Sequence, residues 1–394
     1  MMLRLLVCLT FAYVLIAASA DPPALPQSGM PYLARGADGT VHLSWIDYLP
    51  EGHALRYSRW DGKSWTKPET ISSGVNWFVN WADFPSVSAL PDGTVWAHWL
   101  ARAGGGGTYG YGIRLARRDA QGQWREIHGI NLDDKEDYAG FLSFAPGTAG
   151  AFYLAPPPGP RQGTGGHEHE QRKTARYIEF GSNGSVTSDI ELDRDVCSCC
   201  QTAVAQTDEG LIAAYRDHLP GEIRDISVIR SIGGTWTSPK TVSADGWKIA
   251  GCPTEGPSIA SHGAALAIAW LTRANDKARI LLSMSANSGE DFGSPIRIDG
   301  GNPHGRPAVI PFQQGSYLAV WLEKKDGQTV EIRLRKVGRN GSLGPAATVA
   351  SAPGGRAAGL PKIAATNDKI IVVWRDGRVR AEVLPAAAWT SPAE

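Results

Sequence analysis

Three of the five cysteines in this 394-residue chain fall within four positions, as Cys197, Cys199 and Cys200. Cys252 follows later in the chain, with His304 beyond it. Thiolate and imidazole ligands suit Cu(I) or Zn(II). The favoured interpretation is two structural disulfides, because the chain begins with an export signal and exported proteins meet oxidising conditions. Metal-binding or redox thiols are the alternative, because three cysteines so close in sequence strain the geometry of simple pairing.

A second possible metal site is the pair His167 and His169, near the end of the Pro- and Gly-rich insertion 156–171. Alternate histidines can reach one ion when the segment between them is extended. A solvated loop without a metal is the favoured interpretation of this stretch. The two histidines are therefore secondary metal candidates.

Carboxylates, arginines and aromatic residues could support a different chemistry, the cleavage of a glycosidic bond. Glycosidases use paired carboxylates, or a tyrosine with an acid, and arginines grip substrate carboxylates through paired hydrogen bonds. Asp83 is the candidate acid, Glu255 could assist a tyrosine, and Arg306 is the candidate carboxylate clamp. The candidate substrate-binding residues are Trp77, Trp81, Tyr138, Arg216, Arg224, Asp225 and Arg356. Structural alternatives are a hydrophobic plug for the two tryptophans and a salt bridge for Arg216.

A repeated pattern predicts the scaffold that positions these residues. An apolar strand ending in an aromatic residue recurs seven times, at intervals of 51 to 62 residues obtained by subtracting the residue numbers. The seven aromatic residues are Trp45, Trp99, Tyr153, Tyr215, Trp270, Trp321 and Trp374. Recurrence at one position of a repeat favours packing between neighbouring units over ligand binding.

Each unit reads as four short strands joined by tight turns, most clearly at 31–35, 40–45, 55–58 and 65–71. Four antiparallel strands in about fifty residues form a propeller blade. The sequence therefore predicts an all-β, seven-bladed propeller. The last unit has a poor fourth strand, so the segment after Asp21 is expected to complete that blade and close the ring.

Blade topology predicts which loops meet. The loop leading into the first strand of each blade (the leading loop) lies on the same face as the loop between the second and third strands. Nearly all the candidate residues fall in these two kinds of loop, so they are expected to converge at the mouth of the central channel, a usual place for a binding site. Cys252 is expected to join the other three cysteines there, because their leading loops belong to adjacent blades.

The turns carry a family resemblance. The stretch 285–292, Ser-Ala-Asn-Ser-Gly-Glu-Asp-Phe, fits the Asp-box pattern, and the chain resembles the sialidase-like (BNR) β-propeller superfamily. The stretches 197–202 and 251–253 resemble those of bacterial secreted proteins with a Cys-x-Cys-Cys motif and this fold. The resemblance implies an exo-glycosidase of sialidase type and, as an alternative architecture, six blades. It is incomplete, because the first blade has Met30 where sialidases place an arginine before a proline.

The first residues predict export. Arg4, the apolar run 5–18 and the small residues 18–20 form a signal peptide, 1–20, leaving 21–394 as a single propeller domain in the periplasm or outside the cell. No transmembrane anchor is expected. The 39 basic and 39 acidic residues cancel, so no nucleic-acid partner is implied. A monomer is favoured.

Three hypotheses follow for function. The first is binding or hydrolysis of a carbohydrate or another small ligand at the channel mouth. The second is a copper, zinc or redox-thiol protein that uses the four cysteines and His304. The third is a non-catalytic interaction propeller.

Overall fold

The computed structural model of the chain describes residues 20–104, 107, 109–132, 134, 137–158 and 172–390. These residues form seven antiparallel β-sheets that follow one another along the chain. Helical structure within them is limited to four 3-10 turns, and none of it is long and apolar enough to cross a membrane. The fold is the predicted seven-bladed β-propeller, and the six-bladed alternative is wrong.

The first four blades contain seventeen strands. Blade one comprises β1 (Ser28–Arg35), β2 (Val41–Tyr48), β3 (His53–Trp60) and β4 (Glu69–Gly74). Blade two comprises β5 (Ser86–Ala89), β6 (Val95–Arg102), β7 (Tyr111–Arg118) and β8 (Trp124–Ile130). Blade three comprises β9 (Gly140–Phe144), β10 (Gly150–Ala155), β11 (Lys173–Phe180) and β12 (Val186–Val196). Blade four comprises β13 (Ala203–Gln206), β14 (Leu211–Arg216), β15 (Ile226–Ile232), β16 (Thr235–Trp236) and β17 (Lys240–Thr241), the last two both pairing with β15.

The last three blades contain eleven strands. Blade five comprises β18 (Ser258–His262), β19 (Ala265–Thr272), β20 (Arg279–Ser285) and β21 (Ile296–Arg297). Blade six comprises β22 (Pro303–Pro311), β23 (Tyr317–Lys324), β24 (Thr329–Val337) and β25 (Ala347–Pro353). Blade seven comprises β26 (Lys362–Ala365), β27 (Lys369–Asp376) and β28 (Arg378–Pro385). The 3-10 turns are Ala274–Asp276, Gln313–Gly315, Gly355–Ala358 and Ala386–Trp389.

The second strand of each blade carries the repeated aromatic residue, and all seven aromatic residues are buried. Trp45 of β2 lies in one hydrophobic cluster with Val373 of blade seven. Trp321 of β23 lies in a cluster with Ala269 of blade five. Their predicted role in packing between blades is confirmed, and it explains why these strands read as nearly continuous apolar runs.

The first strands of neighbouring blades contact one another around the whole ring, in the order β1, β5, β9, β13, β18, β22, β26 and back to β1. They therefore surround the central channel. The leading loops meet above it, and the turns between third and fourth strands lie on the opposite face. The Asp-box stretch is one of those turns: Ser285 Oγ accepts a hydrogen bond from the Gly289 N–H at 3.0 Å, and Gly289 has a φ of 80°. It is a structural turn, remote from the channel mouth.

The N-terminal segment closes the ring, but not by the expected strand. The Asp21 carboxylate accepts a hydrogen bond from the Ala381 N–H at 3.0 Å and pairs with Arg380, both on β28. Ser28 Oγ accepts another from the Val379 N–H at 3.0 Å. Residues 20–27 form no strand, because the three prolines at 22, 23 and 26 have no N–H to donate to a ladder.

Candidate functional site

Residues 197–202, which we call the cysteine loop, lie between β12 and β13 and are fixed from two sides. The Gln201 side chain donates from Nε2 to the Ala82 carbonyl at 2.6 Å, in the leading loop of blade two. Its Oε1 accepts from the Gly256 N–H at 2.8 Å, in the leading loop of blade five. One amide therefore joins three leading loops beside the cysteines.

Three cysteine sulfurs form a compact group within this loop. Cys197 Sγ lies 3.5 Å from Cys200 Sγ and 3.9 Å from Cys199 Sγ, and all three sulfurs lie within 4.8 Å of one another. Cys197 and Cys200 are 1% exposed and Cys199 is 9% exposed. None of the four cysteines from 197 to 252 is in a disulfide. Three soft donor atoms therefore converge on one point.

Cys252 approaches this group from the leading loop of blade five. Hydrogen bonding to Cys199 is the main influence on Cys252 and lowers the pKa of its thiol. Unlike the other three, Cys252 is exposed. The prediction that the four cysteines gather at the channel mouth agrees with this arrangement, with Cys252 at the solvent side of the group.

The surroundings favour one thiolate within the cluster. Hydrogen bonds with the Cys199 and Cys200 thiols, with smaller contributions from Arg224 and Arg216, hold the pKa of Cys197 well below its usual range. The same network raises the pKa of Cys199, and burial raises the pKa of Cys200. Arg224 also has a buried Nε without a hydrogen-bond partner among the described residues. A negative charge is therefore more favourable at Cys197 than at Cys199 or Cys200.

A cavity of about 490 Å³ opens beside the cysteines. It is lined by Phe78, Val79, Asn80, Trp81, Ala82, Tyr109, Tyr111, Tyr138, Phe141, Ser198, Cys199, Cys252, Thr254 and Arg356. Phe78, Tyr111 and Tyr138 form a continuous stack, with ring centroids 3.9 and 4.8 Å apart. None of the described lining residues is an aspartate or a glutamate.

Tyr138 forms part of the cavity wall, and its hydroxyl group already donates a hydrogen bond within the protein. The hydroxyl donates to the Ser198 carbonyl, and Lys173 Nζ lies 3.6 Å from the ring centroid while donating to Asp137 and to the Tyr138 carbonyl. Burial raises the pKa of Tyr138 well above its usual value. The tyrosine is thus neutral and held in place, which suits a stacking surface.

Asp83 lies behind this wall and is 2% exposed. Its Oδ1 accepts from the Phe141 N–H at 2.7 Å and its Oδ2 from the Tyr111 hydroxyl at 3.2 Å. Burial raises the pKa of this carboxyl to about 7. Such a pKa suits a general acid, but the carboxyl is not one of the groups that line the cavity. Its assignment as a catalytic acid stays a prediction.

Glu255, predicted to assist a tyrosine, and Arg306, predicted to clamp a carboxylate, lie next to each other in the structure. Glu255 Oε2 accepts from the Arg306 backbone N–H at 2.8 Å. The Arg306 guanidinium donates to the carbonyls of Gly355 and Gly359 and lies 4.3 Å from the Trp81 ring centroid. Burial raises the pKa of Glu255 and lowers that of Arg306. These contacts join blades five, six and seven and the leading loop of blade two.

The Arg216 side chain donates hydrogen bonds to backbone carbonyl groups. Its guanidinium donates to the carbonyls of Glu255 at 2.8 Å, Leu271 at 2.8 Å and Arg224. The structural alternative, a salt bridge with the neighbouring Asp217, is not formed, because these three carbonyls take the donors of Arg216. Arg216 therefore braces blade four against blade five.

Two more predicted substrate-binding residues are buried away from the cavity. Trp77 packs on Trp99, with ring centroids 5.7 Å apart, which agrees with the hydrophobic-plug alternative. The Asp225 carboxylate accepts hydrogen bonds from the backbone N–H groups of Gly246 and Trp247. Trp81 and Arg356, by contrast, line the cavity.

His304, the histidine predicted to complete the thiol site, does not join it. His304 is on β22 of blade six, where burial lowers its pKa to about 4 and the Gly355 backbone is its hydrogen-bond partner. The group of mutually close ligand atoms contains three cysteines and not His304, whose hydrogen bond is with Gly355 in the leading loop of blade seven. His167 and His169 lie outside the described residues.

Several residues of the site were not predicted from the sequence. Tyr109 and Tyr111 lie at the C-terminal end of the loop between the second and third strands of blade two, on the face already identified, so their position in the repeat could have indicated them. Gln201 follows the cysteines directly, but nothing in its type signals a bridge between three loops. Lys173 is an ordinary strand residue in the sequence, and only the fold places it against Asp137.

No protein-family model and no curated protein matches the sequence. Among solved structures, the chain is similar to an ulvan lyase of polysaccharide lyase family 25 bound to a GlcA–Rha3S saccharide, at 10% identity, 93% and 94% coverage of the two chains and a TM-score of 0.53. It is also similar to an α-L-arabinofuranosidase from Fusarium graminearum in complex with an iminosugar inhibitor, at 13% identity, 93% and 96% coverage and a TM-score of 0.51. The NanB sialidase from Streptococcus pneumoniae is a weaker match, with 13% identity, 95% and 70% coverage and a TM-score of 0.46. At these identities the likeness concerns the fold.

Proposed function

We propose that the protein binds a thiophilic metal ion, Cu(I) in the first place, through Cys197, Cys199 and Cys200. The single observation that carries this proposal is the convergence of three sulfurs. Two thiolates bound to one metal at about 2.3 Å and near the tetrahedral angle lie about 3.8 Å apart. The two separations from Cys197, 3.5 and 3.9 Å, are close to this spacing.

The charge around the cluster supports the same function. Metal binding requires deprotonated thiols, and Cys197 already favours the thiolate beside Arg224. Soft sulfur ligands select Cu(I), whereas a structural zinc site is completed by four ligands. Cys252 is the available fourth ligand, and its exposure leaves the three-sulfur set as the buried unit. Export of the mature protein, through residues 1–20, is part of this proposal.

The test is anaerobic titration of the reduced protein with Cu(I), in competition with a chromophoric chelator. We expect one Cu(I) per chain, and a loss of at least about 100-fold in affinity for Cys197→Ser or Cys200→Ser. Cys252→Ser is the matched control, because it removes a thiol from the same face outside the three-sulfur set and should bind Cu(I) within about threefold of wild type.

Titration of the same variants with Zn(II) tests the alternative ion. If zinc is the natural ion, Cys252→Ser should weaken Zn(II) binding as much as Cys200→Ser does. Wild-type protein that binds neither ion while all four thiols react with a thiol reagent would overturn the proposal. Four unreactive cysteines in protein from its native compartment would support disulfides.

A carbohydrate ligand is the second candidate, and the aromatic lining of the cavity favours it. Exposed ring faces stack on sugars, and Trp81 and Arg356 lie on the wall. Two structures that share the fold are named as acting on or binding saccharides. Hydrolysis by Asp83, Glu255 and Arg306, in the manner of an exo-glycosidase, is the finer version of this proposal.

Binding and hydrolysis can be separated. Trp81→Ala and Arg356→Ala should each weaken binding of an acidic oligosaccharide, measured by calorimetry, with Trp77→Phe as a control outside the cavity. If the protein hydrolyses glycosides, Asp83→Asn should lower the rate by at least about 100-fold. Unchanged turnover in that variant would exclude Asp83 as the acid.

A further inference from the structure

The four cysteines differ in their access to solvent, and this difference suggests control of the metal site. Cys199 and Cys252 line the cavity, whereas Cys197 and Cys200 are only 1% exposed. We propose that Cys199 and Cys252 form a reversible disulfide by exchange with a low-molecular-weight disulfide that enters the cavity. This disulfide would remove Cys199 from the three-sulfur set. That consequence for the metal rests on the proposed function.

Exposure to solvent determines the order in which the two sulfurs react. Cys252 is the exposed member of the four, so it meets the incoming disulfide first. Cys199 is its hydrogen-bond neighbour among the cysteines and shares the cavity wall. A cavity of about 490 Å³ is within the usual size of small-molecule sites. Cys197 and Cys200 are 1% exposed and do not line this cavity.

The exchange is balanced in atoms and electrons. The Cys252 thiolate attacks the external disulfide, forms a mixed disulfide and expels one thiolate. The Cys199 thiolate then attacks Cys252 Sγ, forms the internal disulfide and expels the second thiolate. Both leaving thiolates take up protons, so the external disulfide is reduced to two thiols. The protein loses two protons and two electrons, which together are two hydrogen atoms.

Access of the oxidant, rather than distance, disfavours the pairings of Cys197, whose sulfur lies 3.5 Å from that of Cys200 and 3.9 Å from that of Cys199. A bond between the adjacent Cys199 and Cys200 would require the strained geometry of a vicinal disulfide. Neither Cys197 nor Cys200 lines the cavity, so an oxidant that enters it reaches Cys252 and Cys199 first. Joining Cys199 to Cys252 connects two leading loops that Gln201 and Gly256 already hold together.

The experiment treats the metal-free, reduced protein with glutathione disulfide and follows its mass and its cross-linked peptides. We expect a loss of two hydrogen atoms and one peptide pair that joins Cys199 to Cys252. Cys199→Ser should stop at a mixed disulfide on Cys252, which adds one glutathione. Cys252→Ser should form neither product at the wild-type rate.

The second measurement is Cu(I) affinity before and after oxidation. Oxidised wild type should bind Cu(I) at least about tenfold more weakly, and reduction should restore binding. Cys252→Ser should keep its affinity through the same treatment. Because the exchange is measured without metal, reduced protein that forms the disulfide but never binds Cu(I) overturns the proposed function and leaves the exchange standing. A Cys197–Cys200 bond, or unchanged Cu(I) affinity after oxidation, would overturn this inference.

Discussion

Replacing Asp83 by Asn should change how the stability of the propeller depends on pH. The Asp83 carboxyl is buried behind the cavity wall, and burial raises its pKa from 3.8 to about 7. Asn has nearly the same shape and can still accept the hydrogen bond from the Phe141 N–H. The hydroxyl of Tyr111 can rotate to accept from the new amide. The substitution therefore removes a titration with little change in packing.

The sign and size of the effect follow from the two pKa values. Because the folded-state pKa is above the unfolded-state value, the folded protein holds the proton more tightly, and this stabilisation is fully present below about pH 4. It is lost as the pH rises through about 7. A difference of about three pKa units corresponds to about 4 kcal/mol, at 1.36 kcal/mol per unit. The Asn variant should not show this loss.

The assay is urea unfolding of wild type and Asp83→Asn at several values between pH 4 and pH 8. We expect the unfolding free energy of the variant, relative to wild type, to rise by about 4 kcal/mol over this range. Other buried carboxyls, such as Asp217 with its pKa raised to about 6, titrate in both proteins and cancel in the difference. Two curves that stay parallel within about 1 kcal/mol would show that Asp83 titrates normally and refute the reasoning.

Two further substitutions test the closure of the ring and the support of the cysteine loop. Asp21→Ala should lower the unfolding free energy by about 1–3 kcal/mol, because the Ala381 N–H loses its acceptor; Asp21→Asn, which keeps an acceptor oxygen, should cost less in the same urea titration. Gly256→Ala places a Cβ 2.0 Å from the Gln201 carbonyl oxygen, so it should both destabilise the fold by about 1–3 kcal/mol and weaken Cu(I) binding. Gly251→Ala is the control, since its Cβ meets nothing within 4 Å; equal effects of the two would contradict the role of this close contact.

The repeat was enough to predict the number of blades and the face on which the cysteines meet. The aromatic residue recurs at the end of a strand because each blade needs a large side chain to pack against its neighbour. Trp45 and Trp321 pack against neighbouring blades as expected. Chain order and blade topology together then place Cys252 beside the cysteine loop. These predictions succeed because they depend on periodicity, which a single sequence displays directly.

Side-chain environments could not be predicted in the same way. His304 is in the expected blade, but its angular position around the ring takes it towards blade seven. Arg216 and Arg306 were expected to face a ligand, and their guanidinium groups bind backbone carbonyls of neighbouring blades instead. Such partners come from distant loops, so no local pattern marks them. The prolines after Asp21 did carry a usable signal against a strand.

The bond between Asp21 and Ala381 also bears on the order in which the protein folds. Its two ends are 360 residues apart in sequence, and closing so long a loop in a flexible chain costs about 5 kcal/mol in entropy. During synthesis from the N-terminus, the early blades can pair their own strands before β28, the partner of Asp21, has been made. The chain is then an open arc with two unsatisfied blade faces. Each of those faces is a surface on which another copy could assemble, so the aggregation risk of this propeller is greatest just before its last strand arrives.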